Sequence, residues 1–291
     1  MNENKQRRKL LLGICGCLLY VVGDFLFAAL GPEQSTETMG LMVRVAYLDM
    51  ATWRFVVSIL CGVLGTALYY VGFHQMEQLL RLHLPAHQQK WRKGFRLAYL
   101  TGTVCWGYVH AMFINVALIF QFVYQAYGDM QTAADIANRV VYCNAVPMVA
   151  AYVLGDVVLS VVMVVMVWKR LLPLKNTAQR VLATFCNPIC CAGILGNLTT
   201  LLPWPLNQID HGTESLGHAL VLVLGLILLR EMSKQIGQEP CGLSVKIPVS
   251  SLRKRGFFRI PHSAAAPLQR RHRAWPAPAG WRCRTPIWIL P

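Results

Sequence analysis

The chain has 291 residues, 55% of them hydrophobic and only 14% charged, with a mean hydropathy of +0.42. A water-soluble domain usually carries about 25% charged residues, so this deficit points to a bilayer. The formal charge of +15 does not make the chain a nucleic-acid binder, because 18 Lys and Arg stand against 13 Asp and Glu through Pro240, while residues 241–291 add ten basic residues and no acid.

In chain order, Lys5, Arg7, Arg8 and Lys9 precede an apolar run from Leu10 to Leu30. The run is longer than the apolar part of a secretory signal, roughly 7–15 residues, and Phe27-Ala28-Ala29-Leu30-Gly31 is a poor Ala-x-Ala site. It is expected to be an uncleaved signal anchor. Apolar stretches follow at Phe55 to Phe73, Leu97 to Tyr124, Val146 to Trp168, Val181 to Leu202 and Leu216 to Leu229. A crossing needs about 20 helical residues, so the last suffices only when extended to 214–230.

Charge orients these spans, since short loops rich in Lys and Arg stay in the cytoplasm. The N-terminus, the segment with Arg81, Lys90, Arg92, Lys93 and Arg96, and the one with Lys169, Arg170, Lys175 and Arg180 are therefore placed inside. The alternate segments hold only Arg44, Arg54 and Arg139 as basic residues and collect Glu33, Glu37, Asp49, Asp129, Asp135, Asp210 and Glu214. Arg230 and Lys234 return the end of the sixth span to the inside. Trp53 and Trp204 fall at outer ends and Trp91 and Trp168 at inner ends, where indole prefers to sit. No span alternates apolar and polar residues as a barrel strand does. The expectation is an all-α bundle of six transmembrane spans, both ends cytoplasmic, over residues 1–240.

Residues 241–291 combine their ten basic residues with seven prolines. They read as a disordered basic tail on the anionic inner leaflet, as a nucleic-acid arm, or as a frameshifted extension. The abrupt change of composition after Pro240 favours the last, and no nucleic-acid partner is expected.

Ionisable side chains inside a bilayer are expensive and should face the bundle interior with partners. Asp24, His110, Asp156 and His218 are the candidates, at depths that place all four in the middle to outer half. Asn115 and Asn197, with Asn144, Asp210 and His211, extend the candidate chamber outward. Carboxylates with imidazoles can relay protons or hold a small polar ligand. His with Asp can also bind zinc, which makes His110 and His218 the weak metal candidates, although no metal or other cofactor is expected. A purely packing role, each Asp bonded to a neighbouring His or Asn, stands beside these.

Of the ten cysteines, Cys15, Cys17, Cys61, Cys105, Cys186, Cys190 and Cys191 fall in apolar segments, which does not suit a disulfide framework. Only Cys143 falls in a segment placed outside. Cys186-Asn187-Pro188-Ile189-Cys190-Cys191 reads as a packing segment kinked by Pro188, and Gly13, Gly16, Gly62 and Gly65 as close helix contacts. Nucleotide-binding, zinc-protease and serine-hydrolase motifs are missing. Glu214-Ser215-Leu216-Gly217 does not match the serine motif of rhomboid proteases, and the close His pair of alkaline ceramidases is lacking.

Leu11-Leu12-Gly13-Ile14-Cys15-Gly16 followed by Val22-Gly23-Asp24-Phe25-Leu26-Phe27 resembles the first span of an uncharacterised family of small bacterial multi-pass membrane proteins. The resemblance covers the chain to about Pro240 and implies a bacterial inner membrane, but no activity. The expected function is binding, transport or sensing of a small solute or proton through the Asp/His cluster. The alternatives are a metal-dependent hydrolase using His110, His218 and Asp156, and a non-catalytic interaction module.

Overall fold

A computed structural model describes residues 3–40, 42–204, 207–208 and 212–238. Segment 241–291, Asp210 and His211 lie outside these described residues. The fold is all-α, save for a hairpin of β1 (Thr38–Met39) and β2 (Val43–Arg44), with Thr38 opposite Arg44 and Met39 opposite Val43. Five helices are long and apolar enough to cross a membrane, or six if one bent pair counts as a single span.

Helix α1 (Glu3–Ala28) holds the first apolar run, and α2 (Thr52–His83) and α3 (Gln89–Tyr127) hold the next two. The last two overshoot the expected spans. Hydropathy falls after Phe73, but nothing stops the helix: Gln75, Met76, Glu77, Leu79 and Leu80 are all buried, and the backbone continues until Pro85. The residue before a proline is driven out of the α region, and Leu84 is accordingly extended, with φ −79° and ψ 133°. Most of the basic residues between spans two and three therefore lie on helix ends rather than in a loop.

At its far end α3 stops at Gly128, whose φ of +71° is the left-handed conformation that closes helices. Asp129 then caps α4 (Met130–Asn144), accepting from the Gln131 amide at 3.1 Å and from the Thr132 hydroxyl. The Thr132 hydroxyl, with the amides of Gln131 and Thr132, holds the Asp129 carboxyl below the usual carboxylate range. The cap is thus present at neutral pH and is lost as pH falls through that lowered value. Helix α4 was not expected. Its buried stripe of Ala133, Ala134, Ala137, Asn138 and Val141 is too small-sided to register as an apolar run.

Helix α5 spans Val146–Trp168. The expected fifth span, 181–202, is divided between α6 (Thr177–Phe185) and α7 (Pro188–Thr199), which meet at 74°. Asn187 makes the break. Its Oδ1 accepts from the Cys190 amide at 3.0 Å and its Nδ2 donates to the Thr184 carbonyl at 2.7 Å, while Pro188 opens the new helix. Helix α7 contains a π-helical turn, Cys191–Leu195. Helix α8 (Thr213–Gln238) carries the last span and packs Gly217 against the backbone of Asn187 and Pro188.

Two apolar clusters hold the bundle. One runs along the middle and one end of α1, α2, α3, α5 and α8, through Leu10, Phe73, Met76, Met163 and Leu222. The other lies where the hairpin and α4 close over α2 and α3, through Tyr47, Phe55, Phe120 and Ala137. Gln121 ties the hairpin segment down, donating to the carbonyls of Tyr47 at 2.6 Å and Met50 at 2.7 Å. Arg54 does the same for the end of α1, reaching the carbonyls of Leu26 at 2.9 Å and Ala29 at 2.6 Å, which have no acceptor role left within the helix.

Candidate functional site

Small residues bring the polar side chains together. A Cβ on Gly13 would stand 2.5 Å from the Cα of Gly72, and one on Gly16 2.7 Å from the carbonyl oxygen of Gly65. Helices α1 and α2 therefore touch through their backbones. Farther along the same seam, a Cβ on Gly62 would collide with the His110 ring, and Gly23 leaves 3.2 Å to the same ring. His110, on α3, occupies the room left there.

Its Nδ1 lies 3.0 Å from Asp24 Oδ1, and its Nε2 lies 3.0 Å from the Ser58 carbonyl oxygen. Ser58 Oγ donates to the Gly23 carbonyl at 2.6 Å, which closes the loop between α1 and α2. A second pair joins α5 and α8: His218 Nε2 is 3.2 Å from Asp156 Oδ1, and His218 Nδ1 is 3.3 Å from the Glu214 carbonyl oxygen. The His218–Asp156 approach is off-line, so it is an electrostatic contact rather than an aligned hydrogen bond.

The two pairs are built alike. In each, one ring nitrogen meets a backbone carbonyl, which can only accept, so that nitrogen carries the hydrogen. The other nitrogen faces an aspartate.

Consecutive residues of α8 bridge the pairs. Ser215 Oγ donates to Asp24 Oδ2 at 3.3 Å, while the Glu214 carboxyl accepts from the Tyr152 hydroxyl and lies near the Asp156 carboxyl. One polar group thus runs His110, Asp24, Ser215 and another Glu214, Asp156, His218, and the two meet at adjacent residues of α8. Beside it the rings form a file: Tyr20 meets His110 edge-on at 5.1 Å, stacks on Trp106 at 3.9 Å, and Trp106 lies 4.6 Å from His218. Asp156 Oδ2, Ser160 Oγ and Tyr69 OH are buried without a hydrogen-bond partner among the described residues.

Exposure separates the two halves. The Asp24 side chain is 21% exposed, whereas Asp156 and His218 are 6% and 1%. Asp24 and His110 line a cavity of about 290 Å³, together with Thr38, Arg44, Tyr47 and Phe113. The hairpin thus forms one wall of the approach. Burial pushes the Tyr47 phenol up to about 12, so it remains neutral there.

Asn115 and Asn197 do not join this site. Asn115 is five residues past His110, which at about 100° per residue turns it to another side of α3. Asn197 is exposed and donates to its own helix at the Gly193 carbonyl. Among the described residues, no three His, Cys, Asp or Glu side chains form a metal-holding group. Glu214, Ser215 and Tyr152 were missed by sequence reasoning. The spacings Tyr152, Asp156, Ser160 and Glu214, His218 put each set on one helix face, a signal that was available.

No curated protein and no solved structure matches the chain. A family model does match, over residues 1–232, and its description is Family of unknown function (DUF6796). The chain belongs to that uncharacterised family.

Proposed function

We propose that residues 1–240 form a six-span protein of a bacterial inner membrane, with both ends cytoplasmic and the bent α6–α7 pair as its fifth crossing. In this reading the two Asp–His pairs are one coupled proton-binding site, which a small polar solute reaches through the cavity beside Asp24, as in a transporter or sensor. The alternation of Lys and Arg supports the orientation, and the resemblance of the first span supports the bacterial membrane.

The observation that carries the reading is the bridge made by Ser215 and Glu214. Two independent packing contacts have no need to share adjacent residues of one helix, whereas coupled proton-binding groups must lie close together. The hydrolase reading requires His110 and His218 on one ion, and Tyr20 and Trp106 lie stacked between them.

Histidine ¹⁵N NMR of the protein in liposomes tests coupling. Asp24→Asn is expected to shift the ring signals of His110 and, through the bridge, of His218, and Ser215→Ala to abolish only the second effect. A His218 signal indifferent to Asp24→Asn while Ser215 is intact leaves two separate packing pairs and overturns the proposal.

A further inference from the structure

Two grooves flank one ridge of α8. The first, about 590 Å³, lies between α6 and α8, with Leu182, Leu220 and Leu224 on its walls. The second, about 430 Å³, lies between the start of α1 and the other side of α8, with Leu226 and Arg7 on its walls. Val223, Ile227 and Arg230 line both. They are spaced four and three residues apart, so they form a single ridge with Arg230 at its end.

The mouth of the first groove is basic. Lys175, Arg230 and Lys234 surround one acid, Glu231, which Lys234 contacts at 2.8 Å and Lys175 at 4.0 Å. Arg230 is exposed and has no salt bridge among those described, and the second groove carries Arg7 and Arg230 against the single acid Glu3. Below this rim the walls are apolar and outward-facing: Leu182 is 68% exposed and Val223 and Ile227 nearly 40%. An apolar double furrow under a cluster of cations matches an anion that carries two hydrocarbon chains.

We infer that this face of α8 binds an anionic diacyl phospholipid of the inner leaflet, its phosphate at Arg230, Lys175 and Lys234 and one acyl chain in each groove. The site rests on the proposed orientation only for the choice of leaflet. A second copy of the chain is a poor occupant because it would bring the same cations to the same place. Segment 241–291, with ten basic residues and no acid, carries the same sign of charge as this rim. A free anion would leave the apolar furrows unfilled. Basic pockets between helices near the cytoplasmic surface recognise lipid headgroups in this way.

The test uses the full-length protein in detergent and follows its thermal unfolding midpoint against added phosphatidylglycerol, phosphatidylcholine and soluble glycerol phosphate. Phosphatidylglycerol is expected to raise the midpoint at concentrations where the other two do not. The double variant Arg230→Gln/Lys175→Gln removes two surface charges and should weaken the apparent affinity about 30-fold, at roughly fivefold per cation. Lys90→Gln, which lies outside both grooves, should leave it unchanged. Equal stabilisation by phosphatidylcholine overturns the headgroup role, and stabilisation by glycerol phosphate alone overturns the lipid in favour of a free anion. An undiminished response in the double variant overturns the site. Detergent removes any dependence on orientation, so these outcomes are separate from those of the proton-site experiment.

Discussion

Gly13→Leu is expected to prevent accumulation of folded protein, and Gly16→Leu to do nearly the same. Each glycine faces backbone rather than the flexible end of a side chain: Gly72 Cα for Gly13, and the Tyr69 amide and Gly65 carbonyl for Gly16. Overpacking a core by a few methylenes costs about 1–3 kcal/mol when side chains can yield. Here two helices must part along the seam that also positions Asp24 and His110, so the cost should lie at or above the top of that range. Gly193→Leu is the control, because nothing lies within 4 Å of a Cβ there. Thermal unfolding of purified protein decides the matter: a lowered midpoint or no recoverable protein for the first two, and an unchanged midpoint for the third. Normal stability of Gly13→Leu would show that α1 and α2 do not approach as described.

Arg92→Leu should destabilise the fold by about 3–5 kcal/mol, the usual consequence of leaving one buried charge without its partner. Arg92 Nη1 lies 2.5 Å from Glu77 Oε1, and Glu77 is only 2% exposed where α2 and α3 converge. Gln78 at 3.2 Å and His74 at 3.9 Å remain near the carboxylate but replace neither the charge nor the geometry of a guanidinium. The double variant Arg92→Leu/Glu77→Leu should recover most of the loss, since exchanging a whole buried pair for apolar residues is often close to neutral. Chemical denaturation of the four members of this cycle measures the coupling. If the double variant is as unstable as Arg92→Leu, the pair is not what holds that end of the bundle.

Composition and apolar length were enough to expect a helical chain with membrane-length helices, and α5 coincides with the stretch from Val146 to Trp168. The continuation of α2 to His83 was not legible, because a helix propagates through any residue that tolerates it and hydropathy records only where the solvent changes. Helix α4 escaped notice for the opposite reason, its contact face being mostly alanine. Pro188 announced a kink, but its 74° size comes from Asn187 capping both sides of the break.

At the site, depth along each helix marked Asp24, His110, Asp156 and His218 as candidates. Rotation about the helix axes, which decides partners, is set by packing and cannot be read from depth. That is why Asn115 and Asn197 were grouped with the four although the structure turns them elsewhere. Glu214 was placed among the outer acids and at the start of the extended sixth span. The helix does begin there, at Thr213, but Glu214 is half-buried beside Tyr152 and Asp156 rather than part of a solvent-facing turn.

The proposed orientation underlies both the outward cavity and the inner-leaflet lipid, and Cys143 tests it most directly. This thiol is exposed near the end of α4, in the segment assigned to the outside, whereas the exposed Cys15 lies within the first span. A membrane-impermeant maleimide applied to intact spheroplasts is expected to label the protein at Cys143, with labelling abolished in Cys143→Ser. A cysteine placed at Gln88, between α2 and α3, in the Cys143→Ser protein should react only after permeabilisation. Labelling at Gln88→Cys in intact spheroplasts, with Cys143 protected until the membrane is opened, would contradict the orientation and with it the outward-facing site.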